Sequence, residues 1–548
     1  MIQMRGADVL LKTLKLAGVR KIFALSGNHI MPIFDAAIGS GIDLIHVRHE
    51  AAAVHMADAW ARMTGAVGVA LVSGGQGHAN AIGALCTAMA AESPVILLSG
   101  HAGLNELGLG AFQELRQADL AEPVSKMSET AQSAATLAQD LARAFQIARS
   151  GRPGPVHVSL PFDVLENRVD ESAVSWPDAS AFAPEPATFS EQTAQLVLDE
   201  IARASRPLIV APPMLCSASG RTMIGALQQA TGVPVVAMES PRGIHDPSLG
   251  AFAEVLAEAD LIVLLGKQLD FTLRFGKAPF VHAQCRWIVI EPDRPLVDRV
   301  ETTQKERLAF FAIADAHSAI MALTAAATKA GAATRHETWL DTFMAAIAFR
   351  PAQWGKAQKA PDLPVHPAEL CRQLQALLQR YPDAVFVSDG GEIGQWAQAI
   401  MQAPIRVING VAGAIGPSIP FALAAKAARP NALVLAVLGD GTFGFHMAEF
   451  DTAVRYQLPF VAVIGNDSRW NAEYQLQVRT YGEPRAQGCT LTPGTRYDLV
   501  ASALGGHGEF VTKAADLPAA LDRALASGKP ACINALIESV AAPIVRRQ

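Results

Sequence analysis

Short apolar runs alternate along this chain with stretches in which apolar residues recur at helical spacing. KIFALSG is followed by HEAAAVHMADAWARMTG, then AVGVALVSGG, then SPVILLSGH. A strand covered on both faces by helices reads as a continuous β-branched run rather than an alternating one. Strand-length runs interleaved with helical patterns predict an α/β fold with doubly wound parallel sheets. The same rhythm returns in PLIVAP, VPVVAM, DLIVLLG and RWIVIEPD, and again in AVFVSDGG, VLAVLGDG and FVAVIGND. Two stretches break it. One, near 165–192, is rich in Pro, Ser, Ala and acids; the other runs from about Ala325 to Pro364 and includes RPAQWGKAQKAPDLP. They predict three α/β domains, at 1–165, 190–325 and 364–548, of ordinary domain size.

Composition narrows the classes. Half of the 548 residues are hydrophobic and 18% are charged, enough apolar surface for several buried cores and too much for a disordered chain. The net charge is −6 and no basic run occurs, so no nucleic-acid partner is expected. Six cysteines lie far apart with no CxxC pair, which fits reduced thiols in a cytoplasm better than a disulfide or zinc framework. The opening MIQMRGADVLLKTLKLAG reads as an amphipathic helix without the marks of a signal peptide. No apolar run approaches the ~20 residues of a membrane span, so no membrane partner is expected.

Candidate chemistry gathers at strand ends. VLAVLGDGTFGFHMAEF ends a strand in Gly439, Asp440 and Gly441, with Thr442 leading toward a helix. Glycines there let a ligand approach the backbone, helix-start N–H groups favour a phosphate, and an Asp is a hard oxygen ligand for Mg²⁺. Alone, this pattern is equally a capped strand-to-helix turn. One crossover later PFVAVIG ends in Asn466 and Asp467. Neighbouring parallel strands would bring both tips to the carboxyl edge of one sheet, where open α/β sheets bind ligands. A third strand ends in Asp389, Gly390, Gly391 and Glu392, whose backbone N–H groups could face a terminal phosphate. Far away, Arg48-His49-Glu50 stands between a strand and a long helix, where an acid is by itself a dipole partner or cap.

Together these residues resemble the thiamine diphosphate (ThDP) enzymes of the acetolactate synthase-like superfamily, with benzaldehyde lyase and 2-hydroxyacyl-CoA lyase among the relatives. The resemblance runs nearly the whole chain, through RHE at 48–50, SGGQGHANA, GAFQE at 110–114, GRPGPVHVSLPFD, LGKQLDFTLRFG, GVAGAIG at 410–416, GDG at 439–441 and ND at 466–467. It implies a pyrimidine-binding domain, a central Rossmann-like domain and a diphosphate-binding domain, in that order. It also implies ThDP and Mg²⁺ as cofactors. Glu50 would hydrogen-bond N1′ of the aminopyrimidine. Asp440, Asp467 and the Arg469 carbonyl would hold Mg²⁺. The Gly413 carbonyl would take the 4′-amino group, and Ile415 would wedge the cofactor into its V shape. Gly391, Glu392 and Thr442 would meet the diphosphate, beside the Gly439 and Gly441 backbone. His29 and Gln113 match polar positions near the reacting carbon, although a lone His is as readily structural. The family usually has Asn where Asp467 stands, and the linkage after MESPRG is shorter than in the acetolactate synthases that bind FAD.

The implied activity is a lyase, carboligase or decarboxylase acting on 2-keto acids or 2-hydroxy ketones, by a C2 ylid and an enamine. A 2-hydroxyacyl-CoA lyase or oxalyl-CoA decarboxylase is the alternative, since LGKQLDFTLRFG and GAFQE look like that branch. A catalytically silent regulatory protein of the same fold would be expected to lack the acid or the carboxylate pair. The family further implies a homodimer or homotetramer, with each active site at a subunit interface and small carbonyl compounds as its partners.

Overall fold

The computed structural model describes residues 3–331, 336–356 and 364–547. They form two compact units: Met1–Glu185 with Ile419–Pro430 and His446–Leu458, and Pro186–Ser418 with Asn431–Phe445 and Pro459–Gln548. The α/β class holds, with three parallel sheets.

The first unit carries β1 (Lys21–Ala24), β2 (Asp43–His46), β3 (Gly68–Val72), β4 (Val95–His101), β5 (Ser128–Thr130) and β6 (Val156–Pro161), in spatial order β2-β1-β3-β4-β6-β5. Every residue of β3 and β4 is buried, as their unbroken apolar runs require. The helix Glu50–Thr64 is defined by its ends. The His49 imidazole caps the first turn, accepting from the Ala51 N–H at 3.1 Å, and Gly65 closes the last turn at φ 72°. Its Ala-rich face lets strand β3 come close: a Cβ on Gly68 would lie 2.0 Å from the Ala57 carbonyl oxygen.

The second unit holds two sheets. β7 (Pro207–Ala211), β8 (Val235–Ala237), β9 (Leu261–Leu265), β10 (Arg286–Ile290) and β11 (Leu308–Ala312) lie in order β8-β7-β9-β10-β11. β12 (Val385–Ser388), β13 (Ile405–Ile408), β14 (Val434–Gly439), β15 (Val461–Asn466), β16 (His507–Val511) and β17 (Ala531–Leu536) lie in order β13-β12-β14-β15-β17-β16. The second stretch read as a connector carries the helix Glu337–Ala348. Its Trp339, Phe343 and Ala346 are buried in the core of the β7–β11 sheet, and the Trp339 indole donates to the Pro207 carbonyl at 2.8 Å. Residues 357–363 of that stretch lie outside the described residues. No helix among the described residues is long and apolar enough to cross a membrane.

Candidate active site

Strands β12, β14 and β15 are neighbours, and β14 pairs with β15 in a register that sets Gly439 opposite Gly465. Their carboxyl ends therefore release Asp440 and Asp467 at one edge. Asp440 is 2% exposed, and its Oδ2 has no hydrogen-bond partner among the described residues. Burial, and next the charge of Asp467, pushes the Asp440 carboxyl up to about 7; burial pushes Asp467 up to about 6. Asp440, buried and with an orphaned oxygen, and the half-buried Asp467 repel each other and form a donor set that a hard divalent cation satisfies. No group of three or more His, Cys, Asp or Glu suited to a metal occurs among the described residues, so any further ligands there would be other oxygens. The chain turns after Asp467 through Ser468 at φ 57°, with the Ser468 N–H on Asn466 Oδ1 at 3.2 Å.

A cleft of about 330 Å³ opens here. Gly391, Glu392, Gly413, Ile415, Gly439, Asp440, Gly441, Thr442, Asp467 and Arg469 all line it. The helix Gly391–Ile400 starts at its wall, so its first N–H groups lack helical partners. Gly391 has φ 75° and open space where a Cβ would stand. A Cβ on Gly441 would lie 2.7 Å from the Trp470 ring, and one on Gly390 would lie 3.2 Å from Ile415 Cγ2. Glu392 turns its side chain elsewhere: Oε2 accepts from the Ala542 N–H at 3.0 Å and faces Arg242 at 3.4 Å.

Sequence reasoning saw Asp389 only as part of a glycine-rich tip. It is fully buried, and its carboxylate receives the N–H groups of Gly390, Gly416 and Ser418 and the Ser418 hydroxyl, at 2.7–3.3 Å. Burial raises its pKa to about 6 against the pull of those donors. One side chain thus ties the 389–391 tip to the loop that carries Gly413 and Ile415. Only the fold brings these partners together, so no local signal marks them.

The first unit gathers Glu50, His29 and Gln113 around one turn, Ser73–Gly77. His29 Nδ1 lies 3.3 Å from Ser73 Oγ. Gln113 sits at φ 55° against Gly75, whose Cβ would lie 2.8 Å from its own. Glu50 Oε1 would lie 3.4 Å from a Cβ on Gly77. The half-buried Glu50 carboxylate also accepts from Asn80 Nδ2 at 3.0 Å. His29 is 7% exposed, stacks on Phe112 with ring centroids 5.9 Å apart, and is held below its usual pKa by burial. Glu114 braces the adjoining loop by accepting from the N–H groups of Gly108, Gly110 and Ala111. The turn supplies space and the three side chains converge on it, an arrangement suited to proton handling and to holding a carbonyl oxygen.

Residues 4–120 match the family described as Thiamine pyrophosphate enzyme, N-terminal TPP binding domain, and residues 389–535 match its C-terminal TPP binding domain. The chain is similar to a probable acetolactate synthase of Mycobacterium bovis, 32% identical over 98% of this chain and 97% of that one. It is also similar to 2-hydroxyacyl-CoA lyase 2 of Homo sapiens, 30% identical over 93% of this chain and 85% of that one. The Caenorhabditis elegans 2-hydroxyacyl-CoA lyase 2 is 30% identical over 97% of this chain and 89% of its own length.

Proposed function

Because the chain belongs to the thiamine diphosphate-dependent enzymes that include acetolactate synthase and 2-hydroxyacyl-CoA lyase 2, we propose that it is a ThDP- and Mg²⁺-dependent C–C lyase or carboligase acting on 2-keto acids or 2-hydroxy ketones. When bound, ThDP supplies a carbon nucleophile that also stores the electron pair released when a C–C bond breaks. The protein's part is to hold, orient and move protons. Asp440 and Asp467, with the Arg469 carbonyl, would hold Mg²⁺, which would supply positive charge for the diphosphate. Backbone N–H groups at Gly391 and Glu392 and the Thr442 hydroxyl would bind the diphosphate. Gly413 and Ile415 would hold the cofactor between its two ends. Glu50 would hold a proton shared with the aminopyrimidine, and His29 and Gln113 would serve the substrate oxygen.

The observation that carries this reading is the Asp440–Asp467 pair, with an orphaned oxygen on the buried Asp440, in a cleft that Gly391, Gly413, Ile415, Gly441 and Thr442 also line. A silent regulatory protein would be expected to lack the acid or the pair, and this chain has both. The active unit on this reading is a homodimer or homotetramer, with Glu50 of one subunit serving a cofactor held by the next. Its compartment is the cytoplasm, in keeping with six free cysteines. The experiment is a screen of purified protein with ThDP and Mg²⁺ against pyruvate, glyoxylate, benzoin and a 2-hydroxyacyl-CoA, with products identified by mass. No product from any of them, and no thermal shift with ThDP and Mg²⁺, would sink the reading. The similarity to 2-hydroxyacyl-CoA lyase 2 supports a second reading, and release of formyl-CoA in the same screen selects it.

A further inference from the structure

Glu449 lies 399 positions beyond Glu50 in sequence yet belongs to the same compact unit. It opens the helix Glu449–Arg455 and is 1% exposed. Its Oε1 accepts the Arg48 N–H at 2.9 Å, and its carboxylate also receives the His49 N–H. Oε2 accepts the Thr452 hydroxyl at 2.6 Å. The same helix end satisfies the residue where strand β2 finishes. Tyr456 accepts the His46 N–H at 2.8 Å, and Arg455 donates to the His46 carbonyl at 2.7 Å.

These contacts fall on the segment that leads straight into Glu50. Residues 48 and 49 have left the sheet and precede the helix, so their N–H groups have no ladder or helical partner. A neutral acceptor would satisfy them weakly; a buried carboxylate with three donors makes charge-assisted bonds of about twice the strength. Removing it would take the acceptor from two backbone N–H groups and free the turn that sets the helix's first residue.

We propose that Glu449 is a positioning residue: by binding the backbone of Arg48 and His49 it fixes the direction in which Glu50 leaves its helix. The role given to Glu50 rests on the proposed function above; the clamp itself does not. Glu449 is not placed against substrate or cofactor, and its effect passes through the backbone of 48 and 49.

The test combines amide hydrogen exchange across 46–50, read by mass spectrometry on protein without added ThDP, with steady-state kinetics on the loaded enzyme. In Glu449→Ala, exchange at 48 and 49 is expected to quicken at least ~10-fold while the strands of the same sheet keep their protection. The loaded variant is expected to lose on the order of 100-fold in kcat, with KM changed less than about threefold, as for a catalytic group displaced by ~1 Å. Glu449→Gln, which keeps one neutral oxygen acceptor, should fall between wild type and the alanine variant in both. Should the alanine variant fail to fold, Thr452→Val removes only the hydroxyl on Oε2 and should give the same two signatures at roughly threefold size. Unchanged exchange at 48 and 49 in folded variants, or faster exchange with undiminished kcat, overturns the proposal. If the wild type turns over nothing with ThDP and Mg²⁺, the functional reading fails instead, and exchange at 48 and 49 still decides whether Glu449 holds the turn.

Discussion

Replacing Asp440 by Asn probes the carboxylate pair at its source. Burial, aided by the charge of Asp467, lifts the Asp440 carboxyl from 3.8 to about 7. The folded protein therefore binds that proton more tightly than the unfolded chain does. Its contribution to stability is fully present below about pH 4, fades as the pH rises toward 7, and is gone above. At roughly 1.36 kcal/mol per pH unit, ionising Asp440 in metal-free protein at pH 8 costs about 4 kcal/mol. Asn occupies the same volume and cannot ionise. Metal-free Asp440→Asn should consequently melt several degrees above wild type at pH 8, with the gap closing toward pH 4. Mg²⁺ with ThDP should reverse the order, because only the wild type offers the charge that the cation neutralises. Scanning fluorimetry at pH 4.5, 6 and 8, with and without Mg²⁺ and ThDP, reads all of this. A variant that melts below wild type in metal-free buffer at pH 8, or one that gains as much from Mg²⁺ and ThDP as wild type does, would refute the reasoning.

Three further outcomes are expected. Glu50→Gln keeps the shape of the side chain but not its basicity, so turnover should fall at least ~100-fold while ThDP affinity, read by fluorescence quenching, changes less than about tenfold. Gly441→Ala drives a methyl group to 2.7 Å from the Trp470 ring. Urea unfolding should show a loss of about 1–3 kcal/mol, with weaker ThDP binding. Gln113→Gly relieves a left-handed residue at φ 55°, so the melting temperature should rise slightly, for about 1 kcal/mol, as turnover falls.

What could be read from the sequence was local. A parallel strand must end in a turn, and glycine plus an acid at that turn is visible within five residues, so Asp440, Asp467 and Gly391 could be picked out without coordinates. What could not be read depends on partners that the fold delivers. Asp389 meets Gly416 and Ser418 only because the loop after β13 returns beside β12. The three side chains around Ser73–Gly77 come from separate crossovers, and the left-handed backbone at Gln113 and Ser468 is imposed by neighbours rather than by residue type. The helix Glu337–Ala348 is a different case. Its buried Trp339, Phe343 and Ala346 follow a helical spacing that was open to view, but the Pro- and Lys-containing segment after it gave the whole stretch the look of a linker.

Anyone transplanting this cleft onto another parallel sheet would need more than the positions that line it. Asp389, with its grip on Gly390, Gly416 and Ser418, behaves as a keystone spanning the two loops. A graft that copied the glycines and left that acid behind would inherit the outline of the pocket and lose its span.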